Sequence, residues 1–161
     1  MRPRTQRGAG SQPQSPWILR SSTSHGGEVP REISINHRGE PDRLSSTLQL
    51  AHRIAAVASE KLATEIVILD MRGVVTYTDY FVICTGRNPR QTQAIAEELR
   101  ETLKREDRVI TRHADGERQG DWILLDYLDV VVHVFTPDAR AFYRLESLWG
   151  EVPSETYAAG A

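Results

Sequence analysis

Two apolar runs, Trp122 to Leu125 (WILL) and Val130 to Phe135 (VVVHVF), are separated by only four residues, Asp126-Tyr127-Leu128-Asp129. A link that short cannot carry a crossover, so the runs must pair antiparallel as a hairpin. Strand alternation then divides the second run. Val130, Val132 and Val134 face one side of the sheet, and Val131, His133 and Phe135 the other.

The rest of the body is read around this hairpin. Ser45 or Ser46 is a fair helix cap, and Leu48, Ala51, Ile54, Ala55, Ala58 and Leu62 follow at helical spacing. Glu65 to Met71 and Tyr80 to Thr85 are short and almost wholly apolar, which predicts strands buried on both faces. Asn88-Pro89 and Thr136-Pro137 each supply a cap and a proline at the first helical position. The second helix carries Thr92, Ile95, Ala96, Leu99 and Leu103 on one stripe. The last carries Ala141, Phe142, Leu145, Leu148 and Trp149 and ends at Gly150 and Pro153. Val109 to Arg112 reads as a further short strand before the Asp115-Gly116 turn. The pattern predicts a mixed α/β fold with about five strands and three helices. Three helices cover one sheet face well and the other in part, and a partly bare face carrying aromatics is a docking surface.

Residues 45–150 form the expected domain, residues 151–161 a C-terminal tail, and residues 1–44 a disordered N-terminal tail. The N-terminal segment is rich in Arg, Ser, Gly, Pro and Gln, and its few apolar residues lack a period. Its first 27 residues hold no acid, which suits a loose tail, a misplaced start or a transit segment. Up to Arg43 there are seven basic and four acidic residues. The remainder has thirteen against eighteen, a net of −5. Phosphate neutralisation supplies most nucleic-acid affinity, so an acidic body favours protein over nucleic acid as its partner, with little direct nucleic-acid contact. No apolar run approaches the roughly 20 residues of a membrane-crossing helix. The single cysteine, Cys84, excludes an intrachain disulfide and a multi-cysteine zinc site. A reducing, cytoplasmic setting is the natural expectation.

Candidate chemistry is sparse. Gly86-Arg87-Asn88-Pro89-Arg90-Gln91 lies at a helix start but lacks the features of a phosphate-binding loop, so it reads as a tight turn. Asp79 and Asp129, with Asp126, invite a magnesium-dependent nucleotidyltransferase reading. No nucleophile, base or Gly-Ser signature accompanies them. His133 has no second His or Cys spaced for a metal and reads as a half-buried, hydrogen-bonded side chain. Cys84 reads as a small core residue. Phe142 and Trp149 fit the core stripe of the last helix. Trp122 and Tyr127 suit an interface as well as a core. No cofactor is expected. A regulator binding nucleic acid through its basic tail is a third reading.

Several ordered stretches resemble the ribosomal silencing factors, the Iojap family. They are Thr78-Asp79-Tyr80-Phe81-Val82-Ile83-Cys84-Thr85-Gly86, Arg90-Gln91, Ala94-Ile95-Ala96, Trp122-Ile123-Leu124-Leu125-Asp126-Tyr127, Asp129-Val130-Val131-Val132-His133-Val134-Phe135, Arg140, Phe142-Tyr143, Leu145-Glu146 and Leu148-Trp149. The resemblance runs from about Leu48 to Gly150. It implies a nucleotidyltransferase-like fold without the catalytic signature, and so not an enzyme. It also implies binding to a large-subunit ribosomal protein at the 50S subunit interface, of the L14 type. Such binding would block joining of the subunits and lower translation when nutrients are short. A homodimer of the free chain is implied as well. Trp122, Tyr127, Leu128, Asp129 and His133 are the expected partner-binding residues. Leu128 stands where many members have Gly, and Asp115-Gly116 replaces a more usual Glu-Gly.

Overall fold

The structure, a computed structural model, describes residues 43–159. The expectation for the N-terminal tail lies outside the described residues. Helix α1 (Arg43–Glu60) is followed by β1 (Thr64–Asp70) and β2 (Tyr80–Thr85). Next come α2 (Pro89–Thr102), one π-helical turn (Leu103–Asp107) and strands β3 (His113–Asp115), β4 (Trp122–Asp126) and β5 (Val130–Phe135). Two short helices, α3 (Pro137–Tyr143) and α4 (Leu145–Leu148), precede a final strand, β6 (Ser154–Thr156).

The sheet runs β3-β4-β5-β2-β1-β6. Of the described pairings, β2 with β5 is parallel and the others are antiparallel. The two central strands are buried along their whole length. That is why their sequences are unbroken apolar runs rather than alternating ones. One face packs Tyr80, Val82, Cys84, Ile123, Leu125, Val130, Val132 and Val134 beneath α1 and α2. The other carries Phe81, Ile83, Leu124, Val131 and Phe135 beneath Leu145 and Trp149, with Met71 and Val75 at one side.

Both cap-plus-proline starts form. Asn88 Oδ1 accepts from Gln91 N at 2.9 Å, and Thr136 caps α3. Gln91 then ties the elements together, since its side-chain amide donates to the carbonyl of Lys61 at 3.1 Å. The end of α1 is thereby held against the start of α2.

Several expectations need correction. The sheet has six strands, because part of the expected C-terminal tail pairs with β1 as β6. The side chains of β6 are all exposed, so main-chain hydrogen bonding supports it rather than apolar burial. The short strand before the turn is His113–Asp115, not residues 109–112. Helix α1 begins at Arg43, ahead of Ser45, and it ends before Leu62, which takes a left-handed φ of 64° and is exposed. The last helix is broken at Arg144 (φ 48°). The break turns Leu145 and Trp149 inward and leaves Phe142 and Leu148 at the surface.

Arg140 secures this second layer. Its Nε donates to Glu146 at 2.8 Å and its Nη1 to Thr85 Oγ1 at 2.7 Å, with a further bond to the Glu65 carbonyl. It therefore joins α3 and α4 to the ends of β1 and β2. Removing one partner from a largely buried charged network leaves the others unsatisfied. Arg140→Ala is expected to lower stability by about 2–3 kcal/mol in urea denaturation. An unchanged midpoint would show that the network contributes nothing.

Candidate docking face

Trp122 opens β4, and two glycines fix its backbone. Gly116 has φ +78°, and a Cβ there would lie 1.9 Å from the Trp122 carbonyl oxygen. Gly120 has φ +75°, and a Cβ there would meet the Pro89 carbonyl oxygen at 2.8 Å. Side chains larger than hydrogen are excluded at both positions, so the loop can press against α2 and deliver Trp122 opposite Phe135.

An aromatic cluster grows from that pairing. The Trp122 ring lies 5.1 Å from Phe135, stacked, and 4.6 Å from Tyr143. Phe142 meets Tyr143 edge-on at 5.1 Å. Beneath them, His133 lies edge-on to Phe81 at 4.7 Å. Trp122 and Tyr143 are half-buried, while Phe142 is 65% exposed. The sheet's own aromatics on this face, Phe81 and Phe135, are buried, so the expected partly bare sheet face reduces to an aromatic edge made by Trp122 of β4 and by α3. Its outer members are Trp122, Tyr143 and Phe142. The carboxylates of Asp115, Asp121 and Asp138 are exposed on the neighbouring elements β3, the approach to β4 and the first turn of α3.

His133 is 1% exposed. Its Nδ1 accepts the indole N–H of Trp122 at 3.1 Å. Accepting at Nδ1 fixes the neutral tautomer that carries its proton on Nε2, and Nε2 has no hydrogen-bond partner among the described residues. Burial pushes the imidazole pKa down to about 3. His133 is thus fully buried rather than half-buried, and it supports Trp122 from below.

The remaining expected partner-binding residues are not gathered there. Tyr127 is buried on the opposite face, in the layer beneath α1 and α2. The reason is alternation, which places Ile123, Leu125 and Tyr127 on one side and Trp122 and Leu124 on the other. Burial raises the pKa of the Tyr127 hydroxyl, against smaller opposing effects of Thr111 and Arg100. Leu128 forms the hairpin tip at φ 74° and is 44% exposed. Asp129 is half-buried, and its carbonyl accepts from the backbone N–H groups of Asp79 and Tyr80 at 2.9 and 3.1 Å. Leu128 and Asp129 lie beyond the far end of β4 from Trp122, past Tyr127, which is itself about 16 Å away at strand spacing.

Phe142 is the exposed member that the core-stripe reading misplaces. That stripe assumes one continuous helix through Trp149, whereas the chain turns at Arg144 (φ 48°), so Leu145 and Trp149 are buried without Phe142 and no local residue signals the turn. Asp79 and Asp129 are neighbours at the head of the β2–β5 pair. Among the described residues, no group of three or more His, Cys, Asp or Glu could hold a metal. Cys84 is a core residue whose thiol pKa burial raises to about 12, so it is not a ready nucleophile. Among the described residues, no helix is long and apolar enough to cross a membrane.

The family described as "Ribosomal silencing factor during starvation" matches residues 44–159. The ribosomal silencing factor RsfS of Halalkalibacterium halodurans is 39% identical over 109 residues, covering 68% of this chain and 92% of the relative. A crystal structure of a protein from Chromobacterium violaceum superposes with a TM-score of 0.61 at 28% identity, covering 74% of this chain and 96% of that one. The mouse protein named "Mitochondrial assembly of ribosomal large subunit protein 1" is 27% identical over 133 residues, covering 78% of this chain and 57% of the relative. These names are of silencing and assembly factors, not enzymes. They lend no support to a nucleotidyltransferase built on Asp79 and Asp129.

The buried neutral imidazole has a consequence for stability. The folded pKa of His133 lies below the unfolded value, so the unfolded chain binds its proton first. The stability His133 contributes as a neutral ring is intact above about pH 6.5 and is lost as pH falls toward 3. Between pH 7 and pH 5 the wild-type protein is expected to lose about 2 kcal/mol more than His133→Asn, at about 1.4 kcal/mol per pH unit. Urea denaturation at the two pH values checks this, and equal losses would contradict a buried neutral His133.

Proposed function

Because the chain belongs to the ribosomal silencing factor family, we propose that it docks on the large ribosomal subunit and keeps the small subunit from joining. The family description ties silencing to starvation, and the mouse relative is named for large-subunit assembly. The partner is a ribosomal protein of the 50S subunit interface, of the L14 type. The mechanism is occlusion. A standard protein interface of about 1,600 Å² is enough to cover ground that the small subunit would otherwise use.

The observation that carries this reading is the aromatic group of half-buried Trp122 and Tyr143 with exposed Phe142. Aromatic anchors supply most of the energy in protein interfaces. Exposed Asp121, Asp138 and Arg144 flank the group in sequence, so its rim carries both signs, while the acidic body as a whole disfavours phosphate. The platform therefore suits the protein component of the subunit rather than its RNA. In the absence of a subunit, a second copy of the chain could cover the same platform.

The test combines purified 30S and 50S particles with saturating protein, followed by sedimentation. Fewer 70S particles and co-migration of the protein with 50S are expected. Normal 70S formation would end the proposal. Phe142→Glu places a charge on an already exposed position, so folding should be preserved. Loss of a hot-spot contact costs about 2 kcal/mol or more, about 30-fold in affinity. Unaltered 50S binding by folded Phe142→Glu would move the interface elsewhere.

A further inference from the structure

Trp122 has one polar atom, and it is spent inside the protein. The indole N–H donates to His133 Nδ1 at 3.1 Å. A half-buried tryptophan ordinarily keeps its N–H for water or for a partner. Here it is turned toward a ring that is itself fully buried and enclosed by Phe81, Phe135 and Trp122. The part of Trp122 left at the surface has no hydrogen-bonding atom, because an indole has no other.

We infer that His133 is a positioning residue for docking: its Nδ1 pins the Trp122 indole in one orientation and so makes the docking platform wholly apolar at that point. This rests on the docking reading given above and deepens it. The contact Trp122 offers is its ring edge and face, beside Tyr143 and Phe142. The matching partner group is an aliphatic or aromatic side chain, or the stem of a lysine or arginine lying over the ring. A partner carbonyl seeking a donor from Trp122 would find none.

The same bond explains why a histidine occupies a buried strand position among valines. A valine at 133 would fill space but offer no acceptor, and the indole N–H would then be unsatisfied or would swing outward. The bond also demands a neutral ring, because a protonated imidazole carries hydrogen on both nitrogens and cannot accept. The depressed pKa of His133 keeps that condition across the physiological range.

The test separates positioning from folding. Full-length protein labelled with ¹⁵N gives an indole N–H signal for each tryptophan, and Trp122→Phe identifies that of Trp122. Hydrogen exchange of this proton is expected to be slow in wild type, much faster in His133→Leu, and slow again in His133→Asn, whose side-chain oxygen can replace Nδ1. Affinity for purified 50S should follow the same order. His133→Leu is expected to bind about 3- to 10-fold more weakly, the cost of ordering one freed side chain on docking, and His133→Asn to recover part of the loss. A second variant leaves His133 in place. It incorporates benzothienylalanine at position 122, an isostere with sulfur in place of the N–H, and should show a similar weakening. If His133→Leu does not fold, this variant decides. A fast-exchanging indole in wild type, or wild-type 50S affinity in the folded variants, overturns the inference. Failure of wild type itself to bind 50S, with the indole protected, would instead overturn the docking reading.

Discussion

The parallel pairing of β2 with β5, six residue pairs in continuous register, joins stretches fifty residues apart and sets what lies on each side of the sheet. Both strands are buried throughout, so neither register nor direction can drift without exposing apolar side chains. A slip of one residue would send His133 and Phe135 beneath α1 and α2. It would also turn the small valines toward Trp122. The observed register instead sets Ile83 beside His133 and Phe81 beside Val131, and β4 then brings Trp122 to Phe135. The aromatic face is a product of register before it is a product of side-chain chemistry.

Local signals were legible where their physics is local. Asn88-Pro89 and Thr136-Pro137 announce helix starts because a cap and a fixed φ act within a few residues. The hairpin follows from the length of its link, and the division of β5 into valine and aromatic faces follows from alternation. The same alternation, continued two residues past Leu125, assigns Tyr127 to the helix-covered face. Grouping Tyr127 with Trp122 overlooked that period. Other features depend on distant partners. No glycine or proline marks Arg144, yet the chain turns there. Leu145 and Trp149 gain burial by it, and Arg140 meets Glu146 across the turn. Strand β6 has no apolar alternation to read, since it is an edge strand supported by main-chain bonds to β1. The fold class was therefore readable from sequence, while the membership of the aromatic face was readable only in part.

Strain and docking are separated along β4. Leu128 occupies a left-handed conformation that costs a side-chain-bearing residue about 1–2 kcal/mol. Asp126 offsets some of this by accepting the Leu128 N–H at 2.7 Å. The other backbone constraints, at Gly116 and Gly120, lie at the opposite end and are met by glycine without strain. Along β4 the cost therefore falls at the hairpin tip and not at Trp122, while Arg144 (φ 48°) carries a like cost just after Tyr143.

A pinned aromatic surface suits a protein that competes by occupying space. Such a competitor gains nothing from chemistry and everything from the fraction of its binding energy that survives the entropy of docking. Long flexible side chains lose about 0.5–1.5 kcal/mol each when immobilised, whereas aromatic rings have few torsions to lose. Trp122 is held by a hydrogen bond to His133, by Phe135 on one side and by Tyr143 on another. Its ordering is therefore already complete in the free protein. The unsatisfied Nε2 of His133 is the counterweight: a buried donor left unpaired costs stability. That cost falls on folding, where a large core absorbs it, and not on the proposed docking step.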